Sequence, residues 1–155
     1  MRSVSLLICL LLAGCATKYQ DMGFTGGVSA QQMTANTFRI VARGNGYTGQ
    51  TQVSDYAMLK AAETTKQHGA THFLVISASD ASSQGQIVTG GTAQTHFVGN
   101  TAYTNYTPAQ VHNFVRPGQD TYIRIISVKP GVTPAQGAIS ADEIIQFVGS
   151  RVQRG

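Results

Sequence analysis

The spacing of apolar and polar positions changes several times along this chain, and each change marks an element. From Thr37 to Arg43, Phe38, Ile40 and Ala42 alternate with Arg39, Val41 and Arg43, the period-2 pattern of a strand with one core-facing side. Gly44-Asn45-Gly46 breaks the alternation. From Thr51 to His68 the spacing becomes helical, with Val53, Ala57, Met58, Ala61, Ala62 and Thr65 on one side. The alanines on that stripe predict close packing of the helix on a sheet. Gly69 supplies the stop, with His68 in the last turn. Thr71 to Ala78 is mostly apolar and reads as a strand buried on both faces. Strand, helix and strand in succession predict a βαβ crossover or a close variant.

Residues 79–110 then turn to Ser, Gln, Gly, Thr and Asn, with Tyr103 and Tyr106 among them. Gln86 to Thr89 and Thr95 to Val98 are β-capable, so an irregular hairpin arm and a disordered insert are the two readings. Val111 to Arg116, a turn at Pro117-Gly118, and Thr121 to Val128 read as a hairpin returning to the core. Past a linker marked by Pro130, Pro134 and Gly137, Ser140-Ala141-Asp142-Glu143 has the form of a capping box. Ile144, Ile145, Val148 and Val152 continue it as a short amphipathic helix. Residues 15–35 show no sustained period and read as a flexible tether, which by random-coil scaling would reach about 25 Å. The expected fold is one α+β domain over residues 36–155. It has a small mixed sheet of about four strands, one main helix packed on it, the polar insert 79–110 and a C-terminal helix.

The first residues follow another logic. A single cation, Arg2, precedes the apolar stretch Val4 to Leu12, and Leu12-Ala13-Gly14-Cys15 comes next. A basic start, a short apolar segment and small residues before a cut are the order of an export signal. The stretch falls well short of the roughly 20 apolar residues that span a bilayer. With Cys at the cut, the run resembles the lipobox of bacterial lipoproteins. That resemblance implies removal of residues 1–14 and a diacylglyceryl thioether on Cys15. Ala16, in place of the Asp that retains such proteins in the inner membrane, implies the outer membrane, facing the periplasm.

This start settles much of the remaining chemistry. The two cysteines are Cys9, which leaves with the signal, and Cys15, which carries lipid. Thiol catalysis, zinc–thiolate sites and disulfides are thereby excluded. The net charge of +4 is spread along the chain without a Lys/Arg cluster, which argues against nucleic acid. His68, His72, His96 and His112 fall at no metal-binding spacing, and the carboxylates form no general acid/base pair. Gly44-Asn45-Gly46-Tyr47-Thr48-Gly49 matches G-x-G-x-x-G between strand and helix. The position about 20 residues on, where an acid is expected, falls near Gly69 and Ala70 with no acid until Asp80, so a strand-to-helix turn is the better reading than a nucleotide loop. No cofactor, metal, nucleotide or catalytic residue is expected. Arg39, Arg43, Tyr47 and Arg124 are the candidate face for a partner or glycan.

Several segments together resemble a family of small proteobacterial lipoproteins that has no assigned activity. They are Cys15-Ala16-Thr17, Tyr19-Gln20, Met22 to Gly27, Asn36 to Arg39, Arg43 to Thr48, Asp55-Tyr56, Ala61 to Glu63, Arg116 to Gly118 and Ile123-Arg124. Val28-Ser29-Ala30 departs from the family's pattern of Tyr-Ser followed by an acid. The resemblance implies an outer-membrane location and a structural role for the G-N-G-Y-T turn. The expected function is that of a non-enzymatic structural or accessory subunit of an envelope assembly, in company with other envelope proteins. A peptidoglycan- or glycan-binding module and a stress-sensing lipoprotein are the alternatives.

Overall fold

The computed structural model describes residues 16–155. The expected signal segment 1–14 and the lipid-bearing Cys15 lie outside the described residues. The chain divides into two units, Gln84–Val115 and the remainder. In chain order the strands are β1 (Gly27–Gln32), β2 (Thr37–Arg43), β3 (His72–Asp80), β4 (Ser83–Thr89), β5 (Thr92–Val98), β6 (Thr101–Thr107), β7 (Gln110–Arg116), β8 (Gly118–Ile126) and β9 (Ile139–Ser140). The helices are α1 (Gln50–Gln67) and α2 (Ala141–Phe147). No helix among the described residues is long and apolar enough to cross a membrane.

The class is α+β, as the periodicities predict. The larger unit is a five-stranded sheet in the order β1-β2-β8-β3-β9, with α1 packed on one face. Every pairing in it is antiparallel, where a mixed sheet of about four strands is expected. The crossover from β2 through α1 to β3 is present. Its two strands are each antiparallel to β8, which lies between them, so no parallel pair forms.

Alternation in β2 holds as read. Phe38, Ile40 and Ala42 are buried beneath α1, while Arg39, Val41 and Arg43 face away from it and are half-buried. Helix α1 contributes Val53, Tyr56, Ala57, Leu59, Ala61, Ala62, Thr64 and Thr65 to the core. Thr64 and Thr65 turn their hydroxyls onto the carbonyls of Lys60 and Ala61, which hides polar groups that burial would otherwise strand. The Ser140 side chain caps α2 by accepting from the Glu143 amide.

Three expectations need correction. Residues 16–35 are not a tether: Thr17 and Tyr19 are buried and β1 forms a full ladder with β2. The Gly26-Gly27 pair, which looks like a flexible joint, is a geometric requirement. Both residues take positive φ, and a Cβ at Gly26 would lie 2.5 Å from the Arg43 carbonyl oxygen. Second, β3 is not buried on both faces. Phe73 is in the core, but Val75 is 39% and Ile76 52% exposed, and a register shift between Val75 and Ser77 turns the strand there. An antiparallel sheet covered on one face leaves the other side of an apolar run in water. Third, β7 and β8 are not a hairpin. Pro117 and Gly118 are paired with the end of β2: the Pro117 carbonyl accepts from Gly44 N–H, and Gly118 stands opposite Arg43. Strand β7 pairs with β4 instead.

The smaller unit, residues 84–115, resolves the two readings of the insert in favour of β-structure. It is a ribbon in which β4 pairs with β7 and β5 with β6. His96 stacks on Tyr103 directly across the β5–β6 ladder, and the Thr95 and Thr104 hydroxyls meet at 2.8 Å. The Phe114 ring lies over Gly85, where a Cβ would sit 2.4 Å from it.

These differences in burial set unequal costs of truncation. Phe38→Ala, which empties a core site and removes the ring packed against His68 at 4.5 Å, should cost about 3–5 kcal/mol in denaturant unfolding. Phe97→Ala on the ribbon, 74% exposed, should change the same transition by less than about 1 kcal/mol.

Candidate functional site

Two constellations gather polar side chains, and the first lies where the segment after Cys15 enters the fold. Thr17 N–H donates to Thr48 Oγ1 at 2.9 Å, and Thr17 Oγ1 donates to the Thr25 carbonyl at 2.6 Å. Asn45 N–H reaches Thr17 Oγ1 at 3.0 Å, and the Tyr56 hydroxyl donates to the Thr17 carbonyl at 2.7 Å. Every polar atom of Thr17 is thus engaged. The partners come from the turn between β2 and α1, from α1 itself, and from the loop before β1. The G-N-G-Y-T turn is the centre of this clasp. Asn45 Oδ1 accepts from the Tyr47 amide at 3.0 Å and from the Thr48 hydroxyl at 3.0 Å, which fixes the turn's shape.

Tyr19 extends the clasp along the chain. Its amide donates to the Gln153 carbonyl at 2.8 Å, and Gly155 N–H donates back to the Tyr19 carbonyl at 3.0 Å. The Tyr19 ring meets Tyr56 edge-on at 5.6 Å between centroids, with the Arg154 guanidinium 5.2 Å from its centre. Its hydroxyl donates to Glu63, which also pairs with Arg154 at 2.9 Å. Burial, then the hydrogen bond and charge of Glu63, push the Tyr19 phenol well above its ordinary range, so it remains a donor.

The second constellation is on the sheet face away from α1. Asp120 on β8 stands opposite Val41 on β2, and Arg39 and Arg43 are the diagonal neighbours on either side. Arg39 binds Asp120 Oδ2 through Nε and Nη2, and Arg43 Nη2 lies 2.7 Å from Oδ1. Arg43 Nη1 also caps the Ala42 and Gln119 carbonyls, at 2.8 and 3.2 Å. Burial of Asp120 opposes its ionisation, but the two guanidiniums outweigh it and hold the carboxyl below its ordinary 3.8.

The residues expected to form a partner face are therefore in different situations. Arg39 and Arg43 are brought together by a shared carboxylate. Arg124 is on the same sheet face, exposed, and makes no ion pair among the described residues. Tyr47, 77% exposed, is on the turn before α1, outside the strand register that aligns the arginines. Cys15 lies outside the described residues.

As site residues, Thr17, Thr48 and Asp120 are not singled out by the sequence; Thr17 and Thr48 enter it only within the glycine-rich motif and the segments of family resemblance. Tyr56 carries a signal, being one turn from Val53 on the buried stripe. Thr17 carries none, because a residue held by turns and side chains needs no periodicity. No group of three or more His, Cys, Asp or Glu gathers among the described residues. No protein-family model, curated protein or solved structure matches the chain.

Two substitutions probe these sites. Thr48→Val leaves the Thr17 amide buried without its acceptor, and should lower stability by about 1–3 kcal/mol. Amide exchange at Thr17 and Tyr19 should accelerate more than at Phe73 in the core. For Asp120 the folded pKa is depressed, so its stabilisation is present above about pH 4 and fades as pH falls through the folded value. Asp120→Asn should lower stability at pH 7 and flatten the acid limb of the stability profile; an unchanged limb would show that the arginines do not couple to folding.

Proposed function

We propose that this chain is a periplasm-facing lipoprotein of the outer membrane that acts, without catalysis, as a structural or accessory subunit of an envelope assembly. The observation that carries the reading is Leu12-Ala13-Gly14-Cys15, followed two residues later by a threonine with every polar atom engaged by the domain. An anchor joined directly to a folded body suits a part that must hold position at the membrane.

The ribbon supports the subunit role. A two-stranded ribbon is marginally stable alone in water. This one leaves Ile87, Val88, Phe97, Val98, Tyr106 and Val111 each more than half exposed, on strands with open edges. Such edges accept a partner strand through main-chain hydrogen bonds. At least four of the seven carboxylates are engaged in structural pairs. Asp55 grips Arg151, Asp142 pairs with Lys66, Glu63 serves Tyr19 and Arg154, and Asp120 serves two arginines.

Labelling cells with a radioactive fatty acid tests the anchor. The wild-type protein should take up label and sediment with outer membranes, and Cys15→Ala should take up none; an unlabelled, soluble wild type rejects the reading. Crosslinking of the native lipoprotein should give heteromeric adducts, reduced several-fold by Phe97→Asp. Recovery of monomer alone would remove the subunit role.

A further inference from the structure

We infer that the domain meets the bilayer directly, through an aromatic foot formed by Phe24 and Tyr47 beside the lipidated residue. The inference rests on the lipid anchor proposed above and adds which surface faces the membrane. Thr17 is only two residues after Cys15, and two residues of chain span at most about 7 Å. A flexible tether of the expected length would allow about 25 Å. The acyl chains therefore leave the protein at the clasp, and whatever surrounds the clasp is carried to the lipid surface.

Two loops hold Thr17, and each carries an aromatic side chain that the protein leaves bare. The loop before β1 accepts the Thr17 hydroxyl at the Thr25 carbonyl, and its neighbour Phe24 is 107% exposed. The turn before α1 accepts the Thr17 amide at Thr48, and its neighbour Tyr47 is 77% exposed. The loops are adjacent: a Cβ at Gly26 would lie 2.5 Å from the Arg43 carbonyl oxygen and 3.2 Å from Thr17 Cγ2. Met22, Phe24, Arg43, Gly44 and Arg116 are among the residues that line a cavity of about 280 Å³.

Exposed Phe on a soluble surface is unfavourable, whereas aromatic rings are enriched where bilayer meets water, and Tyr suits that boundary with an apolar ring and a polar tip. Lys18, exposed between the buried Thr17 and Tyr19, adds a cation of the kind that lipid phosphates attract, and Arg116 places another at the cavity. Aromatic side chains thus sit on both loops that hold the segment after Cys15, with cations at Lys18 and Arg116 and the proposed lipid two residues before the clasp. The occupant that matches all three is a phospholipid surface.

The chain contains no Trp, so single Trp substitutions report on their own sites. Phe24→Trp, Tyr47→Trp and the control Met33→Trp are made in the full lipoprotein and reconstituted on phosphatidylethanolamine–phosphatidylglycerol vesicles with brominated acyl chains. Met33 is 55% exposed at the far end of β1, about 20 Å along the strand from Gly27. All three side chains are exposed, so the core is untouched. Emission from Phe24→Trp and Tyr47→Trp should fall at least about twofold relative to unbrominated vesicles, and Met33→Trp should be unchanged. A lipidated, vesicle-bound protein in which Phe24→Trp is quenched no more than Met33→Trp overturns the foot and leaves the anchor standing. A mature protein without the mass of lipid on Cys15 overturns both.

Discussion

The structure of the larger unit turns on where a buried phenol finds its partners. Tyr56 is the largest fully buried side chain among the described residues, set in the middle of α1. A hydroxyl taken out of water must be hydrogen-bonded or cost several times what the bond itself contributes. Here it donates to the Thr17 carbonyl and accepts from Gln52 Nε2, both at 2.7 Å. The helix core and the segment before β1 are consequently one unit. Removing that segment would strand a polar atom in the interior, so residues 16–26 belong to the fold as surely as the strands do.

The sheet solves a related problem on its other face. Strand β8 is central, and a carboxylate there, 8% exposed as a residue, has no water to lean on. Its position opposite Val41 puts it within reach of both arginines on β2, so one register supplies two countercharges and leaves one net positive charge. A one-residue slip of β8 would turn Asp120 toward α1 and Ile123 toward solvent, which makes the ion triad a check on register as well as a source of stability. The same register puts Arg124 on the exposed part of that face. The candidate arginines therefore differ in kind: two are bound by a common acid, and one is exposed without an ion pair.

Legibility in the sequence followed the physical origin of each feature. Strand β2, helix α1 and the Ser140 cap were readable because burial of one face imposes a period, and because caps use fixed residue types at fixed offsets. The fate of residues 111–128 was not, since Pro117-Gly118 looks like a reversal. Only the carbonyl of Ala81, 2.5 Å from where a Cβ on Gly118 would lie, shows that the glycine serves close approach rather than a turn. The segment after Cys15 was invisible for a deeper reason. Its order comes from side-chain hydrogen bonds to residues dozens of positions away, and no local pattern records those. Arg39 and Arg43 were legible as one side of β2 but not as a triad with Asp120, which requires knowing that β8 lies beside β2.

The glycine-rich turn shows how a motif's spacing can serve another purpose. In a dinucleotide site, such a loop offers bare glycine backbone and free N–H donors to a pyrophosphate. Here the space beside Gly44 is already filled: a Cβ would lie 2.6 Å from Thr48 Cβ and 3.1 Å from the Pro117 ring. The donors are taken as well, Tyr47 N–H by Asn45 Oδ1 and Asn45 N–H by the hydroxyls of Thr17 and Thr48. The first turn of α1 has no side-chain cap and no acid to complement its dipole, yet the loop before it faces the chain's own threonine. A close backbone approach and convergent donors are what a loop needs to hold any compact polar group. In this protein that group is Thr17, two residues from the cysteine on which the proposed membrane role depends.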